Sequence, residues 1–361
     1  MTSGQLKGAL LEFIVRELML NCGFTTVKAD GHYIFAQRGT GCFFINGKGA
    51  AHDADVLMQP PIQMPFSYPS RLLFECKSYE QTIGLNVIRN GLGLRYDINE
   101  FEIITEESIE LRKNNRRANY AIANRERYYY QVGVASIEEF SKPAFEFAAN
   151  NKIPLLSLRW FLSEQTCDLF HDINTAYLDG IERELSNKVY AYLKDKRPDS
   201  TTFAEYEEVL GFLESDEVIG TILSNFNVIA QRCIIGLLET GDMLFLFATS
   251  DNIRGYFQEQ GLRDNLEARL HYSATDPSVW TLAIGNYQDY RYEPHTFRFY
   301  VPERLMSQWR RFNFDINEGY NMKSEFFSRI FIFSKKYSGF GLPFTVVNID
   351  SEWLEGLVNG S

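Results

Sequence analysis

The chain has 361 residues, 45% of them hydrophobic and 15% aromatic, with a formal net charge of -11. That length makes two domains the natural expectation, and the apolar content is sufficient for a sizeable core. No run approaches the ~20 apolar residues of a membrane span. Glu12 and Arg16 interrupt the first apolar stretch, so no signal-peptide pattern is present. Five scattered cysteines (Cys22, Cys42, Cys76, Cys167, Cys233) contain no CxxC pair, which argues against a disulfide framework and a structural zinc site. A cytoplasmic protein without membrane attachment is expected.

The acidity is unevenly distributed. Residues 1–165 carry 18 Lys+Arg against 18 Asp+Glu, and residues 166–361 carry 18 against 29, which is the whole excess. Two parts with different tasks are therefore expected, divided as 1–163 and 164–361. A neutral first part does not exclude a nucleic-acid partner, because attraction depends on where charges sit.

In chain order, apolar residues at helical spacing (Leu6, Leu10, Phe13, Ile14, Leu18) predict a helix over 6–21, stopped by Cys22-Gly23. Strands are predicted at 25–28 and 33–37 around an Asp30-Gly31 turn. Asn46-Gly47-Lys48-Gly49 reads as a loop leading to a strand that starts at Asp55. Pro60, Pro61, Pro65 and Pro69 break the connection to the next strand, Arg71 to Lys77. A helix over 81–96, strands at 101–105 and 128–135, a helix ending at Ala149 and a strand at 153–158 follow. This alternation predicts an α/β layer. Beyond Leu162, acidic helices are predicted at 179–194 and 203–214, with a break at Arg197-Pro198-Asp199-Ser200. Strand-like runs then occur at 233–238, 243–248, 281–284, 297–301 and 330–333. The second part reads as α+β, of a topology the pattern does not specify.

The strand Arg71-Leu72-Leu73-Phe74-Glu75-Cys76-Lys77 ends in two charges. Alternation puts Glu75 and Lys77 on one face and Cys76 on the other. Charges at the end of a buried strand need compensation, which a divalent metal, a phosphate or their mutual pairing can supply. Phosphodiester cleavage needs a hard cation with oxygen ligands. Asp55 and Glu75 offer carboxylates and Cys76 its main-chain carbonyl. Lys77 is suited to orient water or stabilise negative charge, and Glu12 on the first helix is a candidate to complete the shell or hold Lys77.

Asp55, 19 intervening residues, then Glu75-Cys76-Lys77 resembles the PD-(D/E)xK restriction-endonuclease-like superfamily, and within it the Mrr-like nucleases, over about residues 5–160. The glutamate in Leu11-Glu12-Phe13, the glycines before Asp55, the helix after Lys77 and the late strand-helix-strand unit carry the likeness further. Ala54 stands where a proline is common, and Asp53 is an alternative aspartate. The resemblance implies a restriction-endonuclease-like mixed sheet flanked by helices. It also implies a DNA endonuclease using Mg²⁺, with Mn²⁺ as substitute, serving defence against foreign DNA.

Arg112, Lys113, Arg116, Arg117, Arg125 and Arg127 place six cations in sixteen residues, opposed by Glu126. Such a run is often a solvated helix face; beside a nuclease site it is expected to contact phosphate. His52 reads as structural, as a base or as a phosphate contact, Cys76 as a small core residue, and Glu12 as a site residue or a solvated partner of Arg16. Gln81, Asn86 and Arg89 are weaker candidates for the DNA backbone. With no NTPase motif in this sequence, an ATPase, helicase or sensor, if needed, is expected on another chain. Assembly as a homo-oligomer or hetero-complex is expected, with the acidic part binding a partner or restraining the nuclease. The alternatives are a non-catalytic nucleic-acid-binding or assembly subunit, and a repair or junction-resolving nuclease.

Overall fold

The computed structural model describes residues 1–27, 35–36, 44–63, 67–99, 128–195, 203–249, 266–272, 276–285, 287, 294–333 and 344–359. The Asp30-Gly31 turn, the strand expected at 101–105, the six cations between 112 and 127 and the 197–200 break lie outside them. Helix α1 (Ser3–Asn21) starts earlier than its apolar spacing suggests because Thr2 and Gln5 form a reciprocal capping box. A three-stranded ladder, β2 (Phe35–Ala36), β3 (Phe44–Asn46) and β4 (Ala51–Asp53), leads into the main sheet.

That sheet runs β1-β5-β6-β7-β8, with β1 (Thr25–Thr26), β5 (Val56–Gln59), β6 (Ser70–Lys77), β7 (Tyr129–Ser136) and β8 (Leu155–Ser157). β5 is antiparallel to β6, while β6, β7 and β8 are parallel. Helix α2 (Leu85–Asn99) follows β6, and α3 (Lys142–Asn150) connects β7 to β8. The expectation of a mixed α/β layer holds. Leu72 and Phe74 pack with α1, Val56 and Met58 on one face. Leu73 packs with Leu57, Val132 and the α2 residues Leu94 and Ile98 on the other. At Gly133 a Cβ would come within 2.6 Å of the Phe74 ring, so the glycine lets that ring lie across β7. Helix α2 begins at Leu85 rather than Gln81 because Ile83 bridges Phe140, donating to the Glu139 carbonyl and accepting from Ser141 N–H.

The core does not stop at residue 163. Helices α4 (Glu164–Asp172), α5 (Thr175–Asp179), α6 (Arg183–Leu193), α7 (Phe203–Ser215) and α8 (Ile219–Ala230) follow. Phe170, Val189, Leu193, Leu213 and Phe226 from these helices share one apolar cluster with α1 and the sheet. The helix expected over 179–194 starts later, at Arg183, because the short α5 ends at Asp179 and is capped by Gly180.

The remainder closes into a seven-stranded barrel in the order β10-β13-β12-β11-β15-β14-β9. Its strands are β9 (Cys233–Leu238), β10 (Met243–Ala248), β11 (Leu266–Tyr272), β12 (Val279–Gly285), β13 (His295–Tyr300), β14 (Arg329–Phe333) and β15 (Phe344–Ile349). The interior is packed with Leu244, Leu246, Trp280, Leu282, Phe297, Phe299, Ile330 and Ile332. Helices α9 (Glu303–Arg311), α10 (Ile316–Phe326) and α11 (Ser351–Asn359) pack against it. Phe161 stacks on Phe247 at 4.9 Å and Trp160 on Tyr300 at 5.3 Å, joining the barrel to the end of the first part. No helix among the described residues is long and apolar enough to cross a membrane.

Lys323 of α10 is buried, with the rings of Tyr272, Tyr320 and Trp353 at 5.3, 5.3 and 5.4 Å and Trp280 at 5.8 Å. Ring faces attract an ammonium, yet burial lowers the Lys323 pKa from 10.5 to about 8. Between those values the unfolded chain binds more protons than the folded one, so this residue makes stability rise with pH over that window. Lys323→Met is expected to flatten the rise and to raise the melting temperature at pH 7, by a free energy on the order of 2–3 kcal/mol; melting curves from pH 7 to 10 compare the two proteins.

Candidate active site

Glu75 and Lys77 stand at the C-terminal end of β6, and the β5–β6 register brings Asp55 to them. Val56 lies opposite Phe74 in that register, so Asp55, one step earlier, meets Glu75 one step later. The bond that fixes this is from Cys76 N–H to Asp55 Oδ2 at 2.8 Å. Lys77 Nζ donates to Glu75 Oε2 at 2.9 Å, and both side chains are about three-quarters buried, with 26% and 21% exposed. Burial pushes the Glu75 carboxyl up, Asp55 adds to that, and Lys77 opposes it. For Lys77, burial disfavours the ammonium, but the charge and hydrogen bond of Glu75, with Asp55, outweigh it and raise its pKa. The pair thus keeps the lysine firmly charged, while the glutamate bears the desolvation. Burial raises the Cys76 thiol well above its ordinary value, as do the neighbouring Asp55, Glu12 and Glu75. That suits a half-buried residue packed against the core and not a nucleophile.

Glu12 takes a different partner from the one its helix suggests. Both its oxygens accept from Lys194 Nζ, at 2.8 and 2.6 Å, and Arg16 donates instead to the Leu193 carbonyl at 3.2 Å. Glu12 therefore neither reaches Lys77 nor sits on a solvated helix face; it is buried. Burial works against the Lys194 ammonium, but Glu12 outweighs it and Asp55 adds to the effect, so its pKa is raised. Sequence reasoning misses Lys194, because a lysine ending an acidic helix carries no local signal for a contact 182 residues away.

His52 is held by Asp97 of α2, Nε2 to Oδ2 at 2.6 Å. Asp97 also accepts from Gly49 N–H at 2.7 Å and Ala50 N–H at 3.3 Å. Gly47 N–H donates to the Ala50 carbonyl at 2.7 Å, and a Cβ on Gly47 would collide with the Asp97 carboxylate. The glycines before Asp55 thus serve a turn clamped by one aspartate. His52 remains close enough to Glu75 to lower its pKa. Asp53 is exposed, and Gln81, Asn86 and Arg89 are exposed at or near the start of α2. The cations Arg112, Lys113, Arg116, Arg117, Arg125 and Arg127 lie outside the described residues.

Asp55, Glu75 and the Cys76 carbonyl are oxygen donors of the kind a hard cation takes. Among the described residues no group of three or more His, Cys, Asp or Glu gathers as a metal cluster. Two carboxylates and a carbonyl nevertheless fit Mg²⁺, which keeps much of its water and is commonly held by one or two carboxylates plus substrate phosphate.

No protein-family model matches the chain, and no curated protein matches it. A crystal structure titled a protein of unknown function, AF1548, aligns with 61% of this chain and 98% of its own, at 14% identity and a TM-score of 0.33. A likeness of that size carries no argument about fold family or activity.

Asp97→Ala removes three hydrogen bonds from the 47–53 turn. It is expected to cost about 1–3 kcal/mol in chemical denaturation, with Gly49 and Ala50 amides exchanging faster in hydrogen-exchange measurements.

Proposed function

We propose that the protein is a divalent-metal-dependent DNA endonuclease of the PD-(D/E)xK, Mrr-like type. One observation carries this reading: Asp55, locked to the Cys76 amide, stands in register with a Glu75–Lys77 pair at the adjoining ends of two strands. A cation held by those carboxylates supplies charge neutralisation at the phosphate and a more acidic water. The protein's own groups do the positioning. Asp55 and Glu75 present oxygens from backbone that is fixed on both sides. Lys77, kept protonated by Glu75, places an ammonium where it orients an attacking water and meets developing negative charge. Defence against foreign DNA follows from the family resemblance alone. In that role residues 164–361 bind a partner or restrain cleavage.

One observation favours a second reading, a non-catalytic DNA-binding or assembly subunit: Glu75 and Lys77 already neutralise each other, as do Glu12 and Lys194. A structural pairing of charges needs no metal. A repair or junction-resolving nuclease would use the same chemistry, and preference among duplex, nicked and branched DNA separates it from the first reading.

The purified chain is expected to nick or cut DNA with Mg²⁺ or Mn²⁺ and to be silent in chelator. Asp55→Ala and Lys77→Ala should each lower the rate by about 100-fold or more while leaving DNA binding within a few-fold. Equal cleavage by the wild type and both variants removes the assigned site. Binding with no metal-dependent cleavage supports the subunit reading.

A further inference from the structure

We infer that Lys194 is a built-in cation of this site, holding Glu12 out of reach of a divalent ion and limiting how tightly the site binds one. The inference rests on the metal-dependent reading above and deepens it.

Lys194 is a fixed group. Three successive residues at the end of α6 are gripped by α1: Tyr192 packs on Phe13 with ring centroids 5.6 Å apart, the Leu193 carbonyl accepts from Arg16, and Lys194 binds both oxygens of Glu12. The two side chains are 22% and 8% exposed, so the ion pair is shielded from bulk screening. Cys76, whose amide holds Asp55, packs against the apolar cluster that α1 and α6 share through Leu11, Val15, Val189 and Leu193, which sets the Glu12–Lys194 pair of those two helices against the same sheet end. Cys76 points away from Glu75 and Lys77, so Lys194 stands behind the sheet end that Lys77 fronts.

Two consequences follow from the charges. A carboxylate with both oxygens taken by an ammonium is not a metal ligand while the pair stands, so the donor set is Asp55, Glu75 and the Cys76 carbonyl. The ammonium also repels a divalent ion bound at Asp55. Removing it leaves an uncompensated carboxylate at the rear of the site, which attracts the ion or ligates it. A purely structural role, in which Lys194 only neutralises a buried glutamate and clamps two helices, changes stability alone.

Mn²⁺ titration of the full chain without DNA, with free Mn²⁺ read by electron paramagnetic resonance, separates these. Lys194→Met is expected to bind Mn²⁺ about tenfold more tightly than wild type or better, the scale of one unit charge acting over several ångströms near a protein surface. Lys194→Gln, whose amide still hydrogen-bonds Glu12 and so protects the fold, should tighten binding likewise. Adding Glu12→Gln to Lys194→Met should return the affinity to that of wild type. Unchanged or weaker Mn²⁺ binding in both Lys194 variants overturns the inference and leaves the metal site standing. Wild type that binds no Mn²⁺ removable by Asp55→Asn overturns the metal reading, and this inference with it.

Discussion

The middle of strand β6, Leu72 to Phe74, must be apolar on both faces, and the strand still ends in charge. Leu72 and Phe74 are claimed by α1, and Leu73 by α2, so the strand cannot slip by one residue without exchanging its faces. That constraint fixes where Glu75 and Lys77 emerge. The hydrogen bond from the Cys76 amide then brings Asp55 to the same end. Everything else around the site, from the room Gly133 leaves for Phe74 to the turn clamped by Asp97, keeps two strand ends level with each other.

The charges at that end are handled in opposed pairs. Glu75 has Lys77 on one side of the sheet, and Glu12 has Lys194 on the other. Asp55 lies within the influence of both ammoniums and takes its hydrogen bond from the backbone. Among these groups Asp55 is held by a backbone amide rather than by an ammonium of its own.

Much of the first part is legible from local pattern, because its signals are local. The alternation of Leu72, Leu73 and Phe74, the 3.6-residue spacing of α1 and the strand-helix-strand run of β7, α3 and β8 each declare themselves within a dozen residues. Boundaries move where tertiary contact intervenes, as when Ile83 is drawn into a bridge with Phe140 before α2 can start. In the second part, β9 and β10 are legible strand by strand from their apolar runs, and in the structure Gly241, at φ 81°, turns one into the other. The barrel is not, because its closure depends on distant pairings such as β11 with β15 and β9 with β14, which leave no periodic trace. Lys194 is hidden for the same reason. Its partner is set by how α6 docks on α1, and no spacing in the chain encodes that.

The separation between Glu12 and Lys194 also orders events in time. A chain made from its N-terminus forms α1 and the β5–β6 pair well before α6 emerges. Until it does, Glu12 has no ammonium to meet, and burying α1 against the sheet alone would strand a carboxylate in an apolar layer. The pairing of Glu12 is therefore completed only after residue 194 has been synthesised. The charge-balanced part and the acidic part thus mature as one unit, and the Glu12–Lys194 pair is one of the contacts that join them.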